Sequence, residues 1–160
     1  MVKLGKLTDY GLVLMSMIAR NQGSALHSAS DLARESHLPV ATVRKILKEL
    51  LNSGLLMSHR GTRGGYILAR EPQDISVLDI IAALEGPLTL TDCSSDTAGL
   101  CKLEENCPIS KNQRIINQAV RQALGTITLS DFLQPLQLVA VKDSRGNVLP
   151  TIRFVPGRVQ

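Results

Sequence analysis

Between Ser28 and Arg70 the spacing of apolar residues changes from a helical period to a strand period, and no other feature constrains the fold as much. Ser28 and Asp31 form a Ser-x-x-Asp start that resembles a capping box and opens a short helix through Leu32, Ala33 and Ser36. His37-Leu38-Pro39 breaks it, because a proline disfavours helical backbone in the residue before it. A second helix follows from about Val40 to Ser53, with Val43, Ile46, Leu47, Leu50 and Leu51 on one face and Gly54 as its stop. Ala41, Arg44, Lys45 and Lys48 recur on the other face at i, i+3, i+4 and i+7. Leu55 to Arg60 and Tyr66 to Arg70 then read as short strands around Gly61-Thr62-Arg63-Gly64-Gly65, which predicts a hairpin directly after the second helix. Two helices across a three-residue break could also be a plain helical hairpin with a solvated basic face. The added hairpin gives the order of a winged helix-turn-helix, a mainly α fold with a small β wing.

The flanking segments extend this plan. Leu7, Tyr10, Gly11, Leu14, Met15 and Ile18 repeat at helical spacing, and Leu12, Val13 and Met17 make that first helix apolar nearly all round. Ser76 to Glu85 is a capped helix, with Ser76 and Asp79 at its start, Val77, Ile80, Ile81 and Leu84 on its core face and Gly86-Pro87 at its end. After Leu88-Thr89-Leu90-Thr91 comes a loop from Asp92 to Pro108 with too few large apolar residues to make a core. Ile115, Ile116, Ala119, Val120, Ala123 and Leu124 mark a long helix ending at Gly125, with apolar surface enough to pair with a copy of itself or to pack on its own domain. Thr128 and Asp131 cap a last short helix through Phe132 and Leu133. The chain thus divides into a DNA-binding domain at 1–75, a linker helix, cysteine loop and dimerisation helix at 76–136, and a tail at 137–160 with strand-like pieces, to which no role is assigned.

Composition narrows the partners. Aromatics are 2% of the chain, only Tyr10, Tyr66, Phe132 and Phe154, so the core is aliphatic and stacking of unpaired bases is disfavoured. Residues 1–75 hold ten Lys/Arg against six Asp/Glu, whereas 76–160 hold eight of each, so the whole net charge of +4 sits with the helix-turn-helix. Arg60 and Arg63 at the glycine-rich tip are placed to meet a minor groove. That tip lacks the lysine and the strand-to-helix setting of a phosphate-binding loop, and neither a metalloprotease nor a dinucleotide motif is present, so no catalytic residue and no small-molecule substrate are expected. Lys3 and Lys6 before the apolar run from Tyr10 to Ala19 imitate a signal peptide, but Asp9 sits between them and the run, no small-residue cleavage site follows and Arg20 closes the run. No segment approaches membrane-spanning length, and a cytoplasmic protein is expected.

The chemistry is concentrated in Cys93, Cys101 and Cys107, the chain's three cysteines. Their Cys-x7-Cys-x5-Cys spacing matches neither the knuckles of structural zinc sites nor a redox Cys-x-x-Cys pair. An odd, crowded set fits a reducing compartment better than a disulfide framework. Soft sulfur donors on a loop suit an iron–sulfur cluster, which normally takes four protein ligands; zinc, a thiol switch and incidental cysteines stay open. His27, His37 and His59 all lie in the DNA-binding half and read as turn or surface residues.

Taken together, Leu7-Thr8-Asp9-Tyr10-Gly11, the helix-turn-helix, the Arg60-Gly61 to Gly65-Tyr66 wing, Leu84-Glu85-Gly86-Pro87 and three cysteines before a long helix resemble the Rrf2 family of bacterial winged-helix regulators over residues 1–136. Glu85-Gly86-Pro87-Leu88 with Asp92-Cys93-Ser94 looks most like the branch that regulates SUF-type cluster-assembly genes. The resemblance implies a homodimeric repressor on a palindromic DNA operator, with Cys93, Cys101 and Cys107 holding a two-iron or four-iron cluster. In IscR-like members a His three residues after the third Cys completes the ligand set; here that position is Ser110. In NsrR-like, nitric-oxide-responsive members an Asp of the partner's first helix does so, and Asp9 stands at the matching place, where it could equally be a plain helix N-terminal acid. For DNA, the recognition helix would use Ala41, Thr42, Arg44, Lys45 and Lys48, and the wing Arg60 and Arg63. An iron–sulfur electron carrier, the competing reading, has no use for that basic helix.

Overall fold

The structure, a computed structural model, describes residues 4–20, 26–61, 64–94, 101, 106–134, 136–142 and 148–154, without the side chains of Cys93 and of the last two segments. Its elements are α1 (Lys6–Arg20), α2 (Ala29–Ser36), α3 (Val40–Asn52), β1 (Leu56–His59), β2 (Gly65–Leu68), α4 (Val77–Glu85), α5 (Ser110–Gly125), α6 (Leu129–Phe132), β3 (Leu136–Lys142) and β4 (Val148–Phe154). Single 3-10 turns stand at Pro72–Asp74 and Asp92–Ser94.

Helix α1 buries Leu12, Leu14, Met15, Ile18 and Ala19 and packs against α3 and α4, so the apolar surround read from its sequence has a physical use. Val13 is an exception and faces outward. From α3 come Val43, Ile46, Leu47 and Leu50, and from α4 Val77, Ile80 and Ile81; Leu32, Leu55, Leu56, Leu68, Ile75, Ile127 and Leu129 complete one core. Each fully buried Leu or Ile contributes about 1.5–3 kcal/mol. Leu51, expected on the core face of α3, is half-buried at its edge.

The helix starts follow the sequence signals. Ser28 accepts from the Asp31 amide and donates its hydroxyl to the Asp31 carboxylate. Full capping boxes form at Ser76–Asp79 and Thr128–Asp131. Those two caps meet across an antiparallel bridge, in which Val77 N donates to Ile127 O at 2.8 Å and Leu129 N to Ile75 O at 2.7 Å. The bridge ties α6 to the start of α4 and fixes where α5 ends.

Strands β1 and β2 pair antiparallel, with Leu56 opposite Leu68 and His59 opposite Gly65, as the hairpin reading predicts. The tail, whose strand-like pieces at 138–141 and 148–155 left a hairpin as one alternative, forms a second hairpin with Leu136 opposite Phe154.

Candidate functional site

The turn before α3 is set by His37, whose left-handed backbone (φ 56°) ends α2 and lets its N–H reach Ala33 O and Arg34 O. That accounts for His37 as a turn residue. Pro39 is the N-cap of α3, no side chain among the described residues caps this end and its first turn has no acid. The amides at this positive helix end are therefore open to an anion. With the core face fixed by Val43, Ile46, Leu47 and Leu50, the opposite face must be solvated: Ala41, Arg44, Lys45 and Lys48 are all exposed, and Thr42 is half-buried beside them. Arg44, Lys45 and Lys48 enter no ion pair among the described residues, so their charge is free for a polyanion.

The wing follows directly. Arg60 is exposed just past β1, while Thr62 and Arg63 lie outside the described residues. A third segment that the sequence did not reveal supports the wing: His27 N donates to Tyr66 O at 3.1 Å and Tyr66 N to His27 O at 2.9 Å. A one-residue bridge has no period to read. Its available signal was Gly65, where an added Cβ would lie 2.8 Å from His27 O. The His27 ring buries its Nε2, which has no hydrogen-bond partner among the described residues.

The cysteine region is built on α5. Leu90 N donates to Asn117 Oδ1 at 3.0 Å, which holds the chain just before the turn that carries Cys93. Within that turn Ser94 N donates to Thr91 O at 2.9 Å, and the Thr91 and Ser94 hydroxyls share a hydrogen bond of 2.7 Å over a buried Ser94. Cys101 and Cys107 are free, half-buried thiols. Ser110 turns back on its own loop, donating from Oγ to Cys107 O at 3.2 Å. The Cys93 side chain and residues 95–100 and 102–105 lie outside the described residues. Among the described residues no three His, Cys, Asp or Glu side chains come together as a metal site. In donor chemistry the residues fit a cluster: Cys101 and Cys107 are free, half-buried thiols, the soft sulfur ligands that iron–sulfur centres take.

Asp9 stands exposed in the first turn of α1. That turn is tied down by Glu85 at the end of α4, whose Oε1 accepts from the Gly5 amide at 2.5 Å and from the hydroxyl of the buried Thr8. Residues 80 apart in sequence so fix the start of α1, a role that sequence spacing gave no means of seeing.

Comparison with known proteins decides the class. The family model for Rrf2, described as an iron-dependent transcriptional regulator, matches residues 4–135. The chain belongs to the Rrf2 family. It is similar to the HTH-type transcriptional regulator CymR of Bacillus subtilis, 32% identical over 82% of this chain and 89% of that one. The solved structure of that protein, described as the global cysteine regulator of B. subtilis, superposes with a TM-score of 0.68, at 30% identity, over 83% of this chain and 97% of the other. The structure of T. potens IscR gives a TM-score of 0.63 at 30% identity, covering 82% of this chain and 86% of that one. The HTH-type regulator NsrR of Shouchella clausii is 27% identical over 89% of this chain and 87% of its own. As an Rrf2 protein the chain is a winged-helix, DNA-binding transcription regulator and not an enzyme. No described helix is long and apolar enough to cross a membrane.

Proposed function

We propose that this Rrf2 protein is a homodimeric, cytoplasmic repressor whose grip on a palindromic operator follows the state of an iron–sulfur cluster held by Cys93, Cys101 and Cys107, with Asp9 of the partner as fourth ligand. The observation that carries the reading is the two-sidedness of α5. Its one buried residue is the polar Asn117, 4% exposed and bonded to the cysteine segment, while Ile115 and Ile116 stand 65% and 50% exposed on its outer side. An apolar outer face on a helix of 16 residues suits pairing with a second copy, and the cysteine turn rests on the same helix.

When bound, the cluster would supply a centre that oxidants and small ligands can attack, more so if one ligand is a hard carboxylate. The chain's own part is to place two copies of α3 about 34 Å apart, the separation of successive major grooves. Support for SUF-type assembly genes as the target comes from the Glu85-Gly86-Pro87-Leu88 and Asp92-Cys93-Ser94 resemblance. Nitric oxide as the signal is the alternative within the same site. A second reading, thiol regulation without metal, draws on the similarity to CymR and on the two free half-buried thiols.

The test is anaerobic purification with iron and acid-labile sulfide counted per chain, beside the visible spectrum. A brown protein that loses its colour in each Cys→Ala variant supports the cluster; a colourless protein with reactive thiols supports the second reading and overturns the first. Mixed dimers of Asp9→Ala and Cys101→Ala subunits show whether the carboxylate crosses the interface, because then one of the two sites in each mixed dimer keeps a full ligand set.

A further inference from the structure

The first turn of α3 carries an exposed apolar residue, Val40, that belongs to neither the core nor the basic stripe and stands beside the Ala41 end of that stripe. Val40 is 38% exposed at the first helical position, and Ala41 beside it is exposed as well. They precede Arg44 by four and three residues, so the three side chains form one outward strip. A lone exposed valine is ordinary on a protein surface. This one stands at the end of a recognition helix that enters the groove, where base edges are read. No side chain among the described residues caps this end and no acid lies in its first turn, so the strip offers no hydrogen-bonding side chain before Arg44 except the half-buried Thr42.

In the major groove, the edges of the base pairs present donors and acceptors, and one apolar group, the 5-methyl of thymine. Valine and alanine pressed on a donor or acceptor would strip its water and return nothing, whereas the methyl loses nothing by being covered. Charge complementarity brings DNA to this face, because Arg44, Lys45 and Lys48 continue the strip and are free of ion pairs among the described residues. From the DNA-binding function of the chain we infer that Val40 and Ala41 determine specificity by covering the 5-methyl of a thymine in each half-site. Four residues of helix rise about 6 Å, so that thymine lies within about two base pairs of the base or phosphate met by Arg44.

The experiment selects a binding duplex from a random pool with the full-length protein, purified anaerobically. Each thymine is then replaced singly by deoxyuridine, which keeps the pairing and removes only the methyl, and affinity is read by fluorescence anisotropy at fixed salt. One buried methyl is worth about 0.8 kcal/mol, so one thymine per half-site should lose roughly fourfold on replacement. In Val40→Ala that ratio should shrink toward one, with melting temperature unchanged because the side chain is half outside the core. Val40→Thr, near in shape but with a hydroxyl, should bind the thymine duplex more weakly and be less sensitive to the methyl. The inference is overturned if no thymine shows a deoxyuridine effect, or if the sensitive one keeps its full effect in both variants. Failure of the protein to select any duplex would instead overturn DNA binding itself.

Discussion

Gly65→Ala tests how the wing is held. An ideal Cβ at Gly65 would lie 2.8, 2.9 and 3.0 Å from the O, C and N atoms of His27, all of them backbone. No rotamer change can relieve such contacts, so the strand segment at His27 has to move away from β2. The same residue makes both bonds to Tyr66, at 3.1 and 2.9 Å, and the displacement lengthens them together. Two hydrogen bonds at about 0.5–1.5 kcal/mol each give a loss of roughly 1–3 kcal/mol. Against that, alanine restricts the unfolded chain by about 0.4–1 kcal/mol. A net loss of about 1–2 kcal/mol should lower the melting temperature by roughly 2–8 °C in a chain of this size. The location of the damage is more diagnostic than its size. Amide exchange at His27 and Tyr66 should quicken, while Val77 and Leu129, bonded to Ile127 O and Ile75 O at the α4–α6 bridge, should keep their protection. Gly54→Ala is the control: with φ of 74° and no atom of the described residues beyond its chain neighbours within 4 Å of an added Cβ, it should cost about 1–2 kcal/mol of backbone strain without disturbing the wing. Unchanged melting and unchanged Tyr66 exchange in Gly65→Ala would refute the claim that His27 buttresses the wing.

The DNA face should divide by role: Arg44→Ala is expected to cost roughly 1–3 kcal/mol on the selected duplex and relax its sequence preference, while Lys48→Ala weakens all duplexes alike and lowers the salt slope by about one, both read in titrations over salt. On α5, Ile115→Glu with Ile116→Glu should leave the monomer folded by circular dichroism yet shift sedimentation to the monomer; a dimer that persists would place the interface elsewhere. Asn117→Ala should leave the oligomeric state unchanged while speeding alkylation of Cys93, because the segment before it loses the bond from Leu90, and equal labelling rates would count against that restraint. The Asp31 carboxyl is held below its ordinary value of 3.8, chiefly by the Ser28 hydroxyl and also by Arg34. Its contribution is therefore present above pH 3.8 and fades as pH falls through the lower folded value, so the stability gap to Asp31→Asn in urea titrations should close only in that acid range.

Much of this was legible from the sequence where a chemical rule acts over three or four residues. Ser-x-x-Asp or Thr-x-x-Asp at Ser28, Ser76 and Thr128 places a hydroxyl and a carboxylate at the offset an N-cap requires, and all three open helices. The basic face of α3 was readable for the same reason, since four core positions settle the direction of the others. What escaped reading acts across the chain: His27 on Tyr66, and Glu85 on Gly5 and Thr8. Neither contact has a period: the first runs between main-chain groups, which any residue carries, and Glu85 alone looks like a solvated carboxylate. Val40 was placed correctly in its helix, but helical spacing alone did not show that it would be left exposed.

Helix α5 was read as apolar enough to pair with a copy of itself or to pack on its own domain. The structure divides its apolar residues: Leu124 packs toward the core and Val120 is half-buried, while Ile115, Ile116, Ala119 and Ala123 face outward. The buried position between them goes to Asn117, a choice that transfer energies alone would reverse. Asparagine is tolerated there because Leu90 supplies a donor, and burying a satisfied amide costs far less than burying an orphan. A leucine at 117 would pack as well but could not hold the segment that leads to Cys93. The helix thus gives up apolar burial on its inner side to fix the cysteine turn, and keeps its isoleucines for the outer side. The turn that carries Cys93 rests on the same helix that carries the outward isoleucines, so a change in how that turn is held acts on the face that the proposed homodimer would use.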